Sequence, residues 1–162
     1  MALEIERKFL VDTKKLFALN LSGGEKIIQG YLSTDKNKIV RVRIKKDCGF
    51  LTIKGQNIGI VRTEFEYEIP LADAKEILKL CEPNILQKVR YKIEYVGKIF
   101  EVDVFEGRHK GLILAEAELN ALNEKIDLPE WIGEEVSDNP KYYNSNLALG
   151  KIEEKKLQRM EK

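Results

Sequence analysis

The amino-acid sequence predicts a mainly β domain of the α+β kind, built on an antiparallel sheet of up to eight strands with a few surface helices. Eight segments alternate apolar and polar residues with the two-residue period of a β-strand. Short turn signals separate several of them, which indicates hairpins and therefore antiparallel neighbours. The polar rows of these segments each carry charges of mostly one sign, an arrangement that ordinary solvated sheet faces avoid.

The predicted strands follow one another closely along the chain. They cover residues 3–11, 26–33, 38–46, 50–54, 61–70, 85–96, 98–105 and 112–119. Turn-forming residues lie between them at residues 22–24, 35–37 and 96–98. Because these connections are short, most neighbouring strands are expected to run in opposite directions.

Helical periodicity is confined to three places. Residues 71–81 place Ile77, Leu78 and Cys81 on one apolar stripe, so a helix is predicted there. Weaker helical patterns occur at residues 120–126 and 141–160. These helices would cover the outer faces of the sheet.

The chain of 162 residues suits one domain with a real core. We expect residues 1–150 to form it and residues 151–162, which are mostly charged, to form a C-terminal helix or tail. No segment approaches the roughly 20 apolar residues of a membrane span. Cys48 and Cys81 stand far apart and match neither a disulfide framework nor a zinc site, so a cytoplasmic protein that does not contact membranes is predicted.

Composition restricts the chemistry. The 28 basic and 27 acidic residues give a formal net charge of +1, which disfavours binding to nucleic acid. His109 is the only histidine and lies between Gly107 and Gly111, so a structural role in a loop is expected rather than a catalytic one.

Charged residues form one row on each predicted strand, opposite an apolar row. For a single strand, a solvated face explains this pattern. Like charges two residues apart repel, however, and the repetition of that cost suggests a use. The rows contain nine carboxylates, Glu4, Glu6, Glu64, Glu66, Glu68, Glu101, Asp103, Glu116 and Glu118, and nine cations, Lys8, Arg41, Arg43, Lys45, Lys54, Arg62, Lys88, Arg90 and Lys92.

If the sheet closes with these rows inward, its interior has basic and acidic walls and cannot be a dry core. A polyanion with hard cations would fill it, because Arg and Lys bind phosphoryl oxygens and clustered carboxylates prefer Mg²⁺ or Mn²⁺.

Several motifs occur in a fixed order. They are Glu4-x-Glu6-x-Lys8, Gln29-Gly-Tyr-Leu32, Arg41-x-Arg43, Thr52-x-Lys54, Glu66-x-Glu68, Lys88-x-Arg90-Tyr91, Glu101-Val-Asp103-Val-Phe105, Ala115-Glu-Ala-Glu118 and the segments 134–138 and 141–148. Together they resemble the CYTH superfamily, the triphosphate tunnel metalloenzymes, from about Glu4 to Leu149. Lys141 stands where the family often has Arg. Glu64 extends the usual acidic pair to three residues, of which we expect Glu66 and Glu68 to match the pair that the family uses.

The resemblance implies a closed barrel of eight antiparallel strands, forming a tunnel that binds a triphosphate and a divalent metal. The implied activity is metal-dependent removal of the terminal phosphate, most simply from inorganic tripolyphosphate. The implied catalytic residues are Tyr31, Lys8 and Arg41; those binding substrate are Lys8, Arg41, Arg43, Lys54, Arg62, Lys88 and Arg90; and those binding Mg²⁺ or Mn²⁺ are Glu4, Glu6, Glu66, Glu68, Asp103, Glu116 and Glu118. Tyr31 would orient the attacking water or the terminal phosphate, although a tyrosine that only packs in the barrel wall explains it equally well.

Other functions stay open at this level. Within the same superfamily the chain would be an adenylate cyclase that converts ATP to cyclic AMP, or a thiamine triphosphatase. A different class is a noncatalytic module that binds polyphosphate or nucleotide, which would need the cations but few of the carboxylates. The sequence leaves homodimer formation undecided.

Overall fold

The computed structural model describes residues 3–150, so the predicted tail at 151–162 lies outside the described residues. The strands are β1 (Leu3–Val11), β2 (Glu25–Ser33), β3 (Lys38–Lys45), β4 (Cys48–Gly55), β5 (Val61–Ile69), β6 (Ile85–Tyr95), β7 (Lys98–Phe105), β8 (Ile113–Glu118) and β9 (Ile132–Glu135). The helices are α1 (Thr13–Phe17), α2 (Leu71–Cys81) and α3 (Asn144–Ala148), with 3₁₀ turns at Gly107–His109 and Pro140–Tyr142.

The first eight strands close into an antiparallel barrel, as predicted. Their order is β5-β4-β3-β2-β6-β7-β8-β1, and β1 also pairs with β5 to complete the ring. All eight predicted strands are present within two residues of their expected ends. Within residues 3–150, no helix is both long enough and apolar enough to cross a membrane.

The structure corrects the prediction in three places. It adds the short elements α1 and β9, which the sequence pattern did not indicate. Residues 120–126 form turns instead of a helix, because the Glu124 carboxylate accepts a hydrogen bond from the Asn120 backbone N–H at 2.6 Å and closes a tight turn. The helical pattern over residues 141–160 is realised, among the described residues, only as a 3₁₀ turn and the five-residue α3.

Strand β1 joins three neighbours. Residues 3–5 of β1 pair with β5, and residues 6–10 pair with β8. Strand β9 pairs with the last residues of β1, at Phe9 and Val11. Arg7, the one charge in the outward row of β1, donates two hydrogen bonds to Glu135 of β9, at 3.0 and 2.7 Å. This bidentate pair explains a charge on an otherwise apolar row, since it links β1 to the added strand.

Helices cover two outer faces of the barrel. Helix α2 packs on β2, β3 and β4, and it approaches so closely that a Cβ at Gly30 would lie 2.6 Å from Cys81 Cβ. On β7 and β8, Leu16 of α1 packs with Phe100 and Trp131, whose rings meet edge to face at 5.7 Å. These contacts bury the apolar rows and leave the charged rows to face the interior.

The inward rows become apolar at one end of the barrel. There the rows end in Tyr31, Ile39, Leu86, Phe105 and Leu114, and these side chains form one cluster with Val136, Tyr142, Leu147 and Ala148 of the C-terminal segment. Burial of these side chains anchors α3 in the end of the barrel and separates the charged interior from solvent there.

His109 holds the same C-terminal segment. Its buried Nε2 lies 2.6 Å from the backbone oxygen of Leu147, and Arg108 donates a hydrogen bond to the backbone oxygen of Ala148. Burial lowers the pKa of His109, which favours the neutral imidazole at this contact. His109 thus makes a structural contact through Nε2, while its buried Nδ1 finds no hydrogen-bond partner among residues 3–150.

The anchoring of α3 can be tested by truncating Leu147, which is fully buried. We expect Leu147→Ala to lower the free energy of unfolding by about 2–5 kcal/mol, because it leaves a cavity in the cluster. Leu80→Ala is the matched control, since Leu80 on α2 is 75% exposed and should change stability by no more than about 0.5 kcal/mol. Denaturant unfolding measures both; equal effects of the two substitutions would show that α3 does not hold the end of the barrel.

Candidate active site

A polar cavity of about 210 Å³ fills the middle of the barrel. All eight barrel strands contribute to its described lining, and β2 alone among them contributes no charged residue. The rest of the lining comes from residues 57–60, from Ser137 and from the start of α3 with the residue before it. The lining residues are Glu4, Glu6, Lys8, Tyr31, Ile39, Arg41, Arg43, Lys45, Lys54, Asn57, Gly59, Ile60, Arg62, Glu64, Glu66, Lys88, Arg90, Glu101, Glu116, Glu118, Ser137, Tyr143, Asn144 and Ser145.

Most of the predicted site residues meet in this cavity. All seven cations predicted to bind substrate line it, as do Tyr31 and five of the seven predicted metal ligands. Glu68 and Asp103 are not among the described residues that line it: Glu68 is exposed, and Asp103 is buried in the wall. Of the three acidic residues of β5, the structure therefore places Glu64 and Glu66, and not Glu68, at the cavity.

A basic wall is formed by β3 and β6. Arg41 and Arg43 of β3 and Lys88 and Arg90 of β6 are buried residues that line the cavity on either side of β2, which pairs with both strands. Burial and the neighbouring guanidinium of Arg41 lower the pKa of Arg43 to about 10. The buried Nε atoms of Arg41 and Arg43 find no hydrogen-bond partner among residues 3–150. This wall is suited to an anion, which would supply both the missing charge and the missing acceptors.

Asp103 organises the cations of β6 from behind. Its two oxygens accept hydrogen bonds from Arg90 at 2.8 and 2.9 Å, and Lys88 Nζ lies 2.7 Å from Oδ2. Burial lowers the pKa of Lys88 to about 8 despite this carboxylate, and the neighbouring Arg90 acts in the same direction. Asp103 thus orients the two cations rather than facing the cavity.

An acidic wall is formed by β1 and β8. Burial raises the pKa of Glu6 well above its usual value, and the adjacent carboxylates of Glu116 and Glu4 add to the effect. Burial alone would also raise the pKa of Glu116, but Lys8 and a hydrogen bond from Glu6 hold it well below its usual range. The pKa of Glu4 is raised too, chiefly by burial. These carboxyl groups are crowded enough to need positive charge between them.

Two lysines connect the walls. Lys8 Nζ lies 3.8 Å from a Glu116 oxygen and donates to the backbone oxygen of Tyr142 at 2.9 Å. Lys54 Nζ lies 3.2 Å from Glu4 and 3.1 Å from Glu64. The Lys54 ammonium is therefore held between two carboxylates, and the Lys8 ammonium between a carboxylate and a backbone carbonyl.

Glu66 belongs to the basic wall. Its Oε2 accepts a hydrogen bond from Thr52 Oγ1 at 2.9 Å and lies 3.5 Å from Arg41 and 3.4 Å from Arg43. The predicted metal ligand thus faces two arginines, where it offsets their repulsion.

The residues that the sequence reasoning did not assign are mostly uncharged. Ser137, Tyr143, Asn144 and Ser145 line the cavity from the C-terminal segment, and Lys88 Nζ donates to Asn144 Oδ1 at 3.0 Å. Alternation of charge gave no signal for them, because they are uncharged and lie outside the barrel strands. Their only sequence signals were the family-like segments at residues 134–138 and 141–148.

A divalent cation would find its ligands on the acidic wall. As the side chains stand, no three Asp, Glu, His or Cys residues in the described part of the chain form a ready metal site. The carboxylates of Glu4, Glu6 and Glu116 are nevertheless close enough to raise the pKa of Glu6, and oxygen donors of this kind suit a hard cation. The acidic wall therefore has the oxygen donors that fit Mg²⁺ or Mn²⁺. To bind the ion, Glu4 would turn from Lys54, and Glu116 would turn from Lys8.

Comparison with known proteins agrees with this geometry. The model of the CYTH domain family matches residues 2–159. An inorganic triphosphatase of Acetivibrio thermocellus is 48% identical over 151 residues, covering 91% of this chain and 94% of that protein. An inorganic triphosphatase of Nitrosomonas europaea is 35% identical over 153 residues, covering 90% and 97%.

Among solved structures, the crystal structure of the inorganic triphosphatase NE1496 superposes with a TM-score of 0.65 at 32% identity, covering 92% of this chain and 96% of that one. The family match spans nearly the whole chain, and each of the two relatives aligns with at least 90% of it. The chain belongs to the CYTH domain family.

Proposed function

We propose that this protein is a divalent-metal-dependent triphosphatase that removes the terminal phosphate of a triphosphate inside its barrel. The observation that carries the proposal is the pairing of two walls in one cavity: buried arginines and lysines on β3 and β6 face clustered carboxylates on β1 and β8. A triphosphate with its metal carries both the negative and the positive charge that these walls require. The names of the two relatives support the same activity.

The basic wall would bind the phosphates. Arg41 and Arg43 present guanidinium groups from β3, and Arg90 and Lys88 present a guanidinium and an ammonium group from β6, on the other side of β2. Because these groups are fixed by the sheet and partly removed from water, they would stabilise the charge that develops as the phosphoryl group is transferred. Lys8 and Lys54 would take phosphate oxygens in exchange for their present carboxylate partners.

The acidic wall would hold the metal through Glu4, Glu6, Glu116 and Glu118. When bound there, Mg²⁺ or Mn²⁺ neutralises phosphate charge and lowers the pKa of a coordinated water. Tyr31 lines the same cavity, and its hydroxyl would orient the terminal phosphate or the attacking water. Asp103 would act from behind, by fixing Lys88 and Arg90.

The lining favours inorganic tripolyphosphate as the substrate. Among the described lining residues the apolar side chains are Ile39 and Ile60, and the aromatic ones are Tyr31 and Tyr143. A nucleobase or a thiazolium ring would gain little by burial against walls that are otherwise charged or polar. Every phosphate group of linear tripolyphosphate is negatively charged, so each could pair with a cation of the cavity lining.

The activity can be tested by supplying tripolyphosphate, ATP and thiamine triphosphate in turn, each with Mg²⁺ or Mn²⁺, and identifying the products. We expect orthophosphate and pyrophosphate from tripolyphosphate, and loss of this activity on chelation with recovery when metal is restored. Cyclic AMP with pyrophosphate would instead identify a cyclase. Binding of all three compounds without turnover would identify a noncatalytic module and contradict the proposal.

Arg43→Ala tests the basic wall. It removes a charge-assisted phosphate contact worth about 1.5–3 kcal/mol, so the Kd for tripolyphosphate should rise roughly ten- to a hundredfold. Calorimetry in the presence of a chelator measures binding without turnover. Lys79→Ala is the control, because Lys79 is an exposed cation on α2 that contacts Glu76. An unchanged Kd in the Arg43 variant would contradict binding at this wall.

Glu116→Gln tests the acidic wall. A ligand that binds only the folded state raises the melting temperature according to its affinity, so the wild-type protein should show a rise with Mn²⁺. We expect this rise to be largely lost in Glu116→Gln and retained in Glu130→Gln, which alters an exposed carboxylate away from the cavity. Differential scanning fluorimetry measures both. A full metal-induced rise in Glu116→Gln would show that Glu116 is not a ligand.

A further inference from the structure

Gln29 is a fully buried polar residue beside the cavity, and the proposed reaction does not use it. It lies on the inward row of β2 and is 0% exposed. Its side-chain Nε2 donates a hydrogen bond of 2.8 Å to the hydroxyl oxygen of Tyr31, the next residue along that row. Its Oε1 finds no hydrogen-bond partner in the part of the chain that the structure describes.

Burial of the Gln29 amide does not stabilise the fold, because its Oε1 is buried without a hydrogen-bond partner among residues 3–150. Buried side-chain oxygens are normally hydrogen-bonded, and an apolar residue would avoid the loss of hydration at Oε1. The neighbours of Gln29 are compatible with an apolar residue, since Ile27 precedes it in the row and Leu86 pairs with it on β6. The contact with Tyr31 is therefore the feature that distinguishes Gln29 from an aliphatic residue.

The direction of this hydrogen bond determines what Tyr31 can do. A phenol hydroxyl has one proton to donate and also accepts hydrogen bonds. Because its oxygen accepts from Gln29, its proton is not used in that contact and is available to a group in the cavity. In the backbone register of β2 and β3, Tyr31 pairs with Arg41 and Gln29 pairs with Arg43, and Tyr31 lines the same cavity as both arginines.

We propose that Gln29 is a positioning residue, whose amide N–H fixes the Tyr31 hydroxyl so that it donates its proton in a hydrogen bond to a phosphoryl oxygen of the substrate. The inference rests on the proposed function, because it requires a phosphate on the basic wall. A hydrogen bond accepted by the phenol oxygen also polarises its O–H bond, so Gln29 strengthens the donor as well as orienting it.

A double-mutant cycle tests the proposal. Gln29→Met removes the amide while preserving length and volume, and Tyr31→Phe removes the hydroxyl. We expect Gln29→Met alone to lower kcat/KM for tripolyphosphate on the order of tenfold, as loss of one oriented hydrogen bond would. In the Tyr31→Phe background the same substitution should change kcat/KM by less than about twofold. Equal losses in the two backgrounds would overturn the proposal.

Gln29→Glu tests the direction of the hydrogen bond. An ionised carboxylate can only accept hydrogen bonds, so the Tyr31 hydroxyl would donate to the introduced carboxylate instead of to the substrate. We expect kcat/KM to fall at least as far as in Gln29→Met. Wild-type kcat/KM in Gln29→Glu would mean that Tyr31 already donates to the amide oxygen of Gln29, and would overturn the proposal.

Ser33→Ala is the matched control on the same strand. Ser33 Oγ donates to the backbone oxygen of Lys38 at 2.7 Å, and it lies outside the cavity lining, so this variant loses a hydrogen bond without touching the site. Its kcat/KM should equal that of the wild type. The melting temperature of every variant is measured as well. A lowered melting temperature with unchanged kcat/KM in Gln29→Met would show that Gln29 has only a structural role.

Binding separates this inference from the proposed function. The same four proteins of the cycle are titrated with tripolyphosphate by calorimetry in chelator, where turnover is absent. We expect Gln29→Met to raise the Kd a few-fold when Tyr31 is present and to leave it unchanged in the Tyr31→Phe background. A wild-type protein that binds tripolyphosphate but never hydrolyses it contradicts the proposed function, whereas the binding cycle still decides the role of Gln29.

Discussion

Repulsion between like charges inside a closed sheet is the constraint on which the rest of this structure depends. Arg41, Arg43 and Arg90 crowd one wall, and Glu4, Glu6 and Glu116 crowd the other. Each group is partly removed from water, so neither wall is relieved by solvent alone. Ion pairs limit the repulsion within each wall. Lys8 and Lys54 lie beside the carboxylates of the acidic wall, and Asp103 pairs with Arg90 in the basic wall. What remains is a cavity with chemical affinity for a metal-bound polyanion.

The fold makes this arrangement stable by separating the charges from the apolar rows. Strand geometry sends alternate residues to opposite faces, so the outer faces can pack under α1 and α2 while the inner faces stay charged. The apolar cluster around Leu147 closes one end. Contributions to stability thus come mainly from outside the cavity and from its closed end, which leaves the residues between them available for binding.

Much of this could be predicted from the sequence, because strand period and charge sign are local properties. The charged rows, the basic and acidic sets and α2 all followed from them, whereas closure of the sheet with these rows inward was implied by the family resemblance. The five-residue α1 and the four-residue β9 are too short to show a period. The choice among Glu64, Glu66 and Glu68 depends on strand tilt and register, which alternation alone does not fix. Tyr143 and Asn144 are uncharged and lie outside the barrel strands, so charge alternation does not reveal them. The Gln29–Tyr31 contact likewise required the position of the side chains.

The central claim is that the two walls bind one metal-bound triphosphate between them. Its most direct test is a crystal structure of the protein with Mn²⁺ and a triphosphate analogue that resists hydrolysis, with anomalous scattering recorded at the manganese edge. The account predicts phosphate density against Arg41, Arg43 and Arg90, and anomalous density among Glu4, Glu6 and Glu116. Phosphate bound outside the barrel, or manganese bound away from these carboxylates, would contradict it.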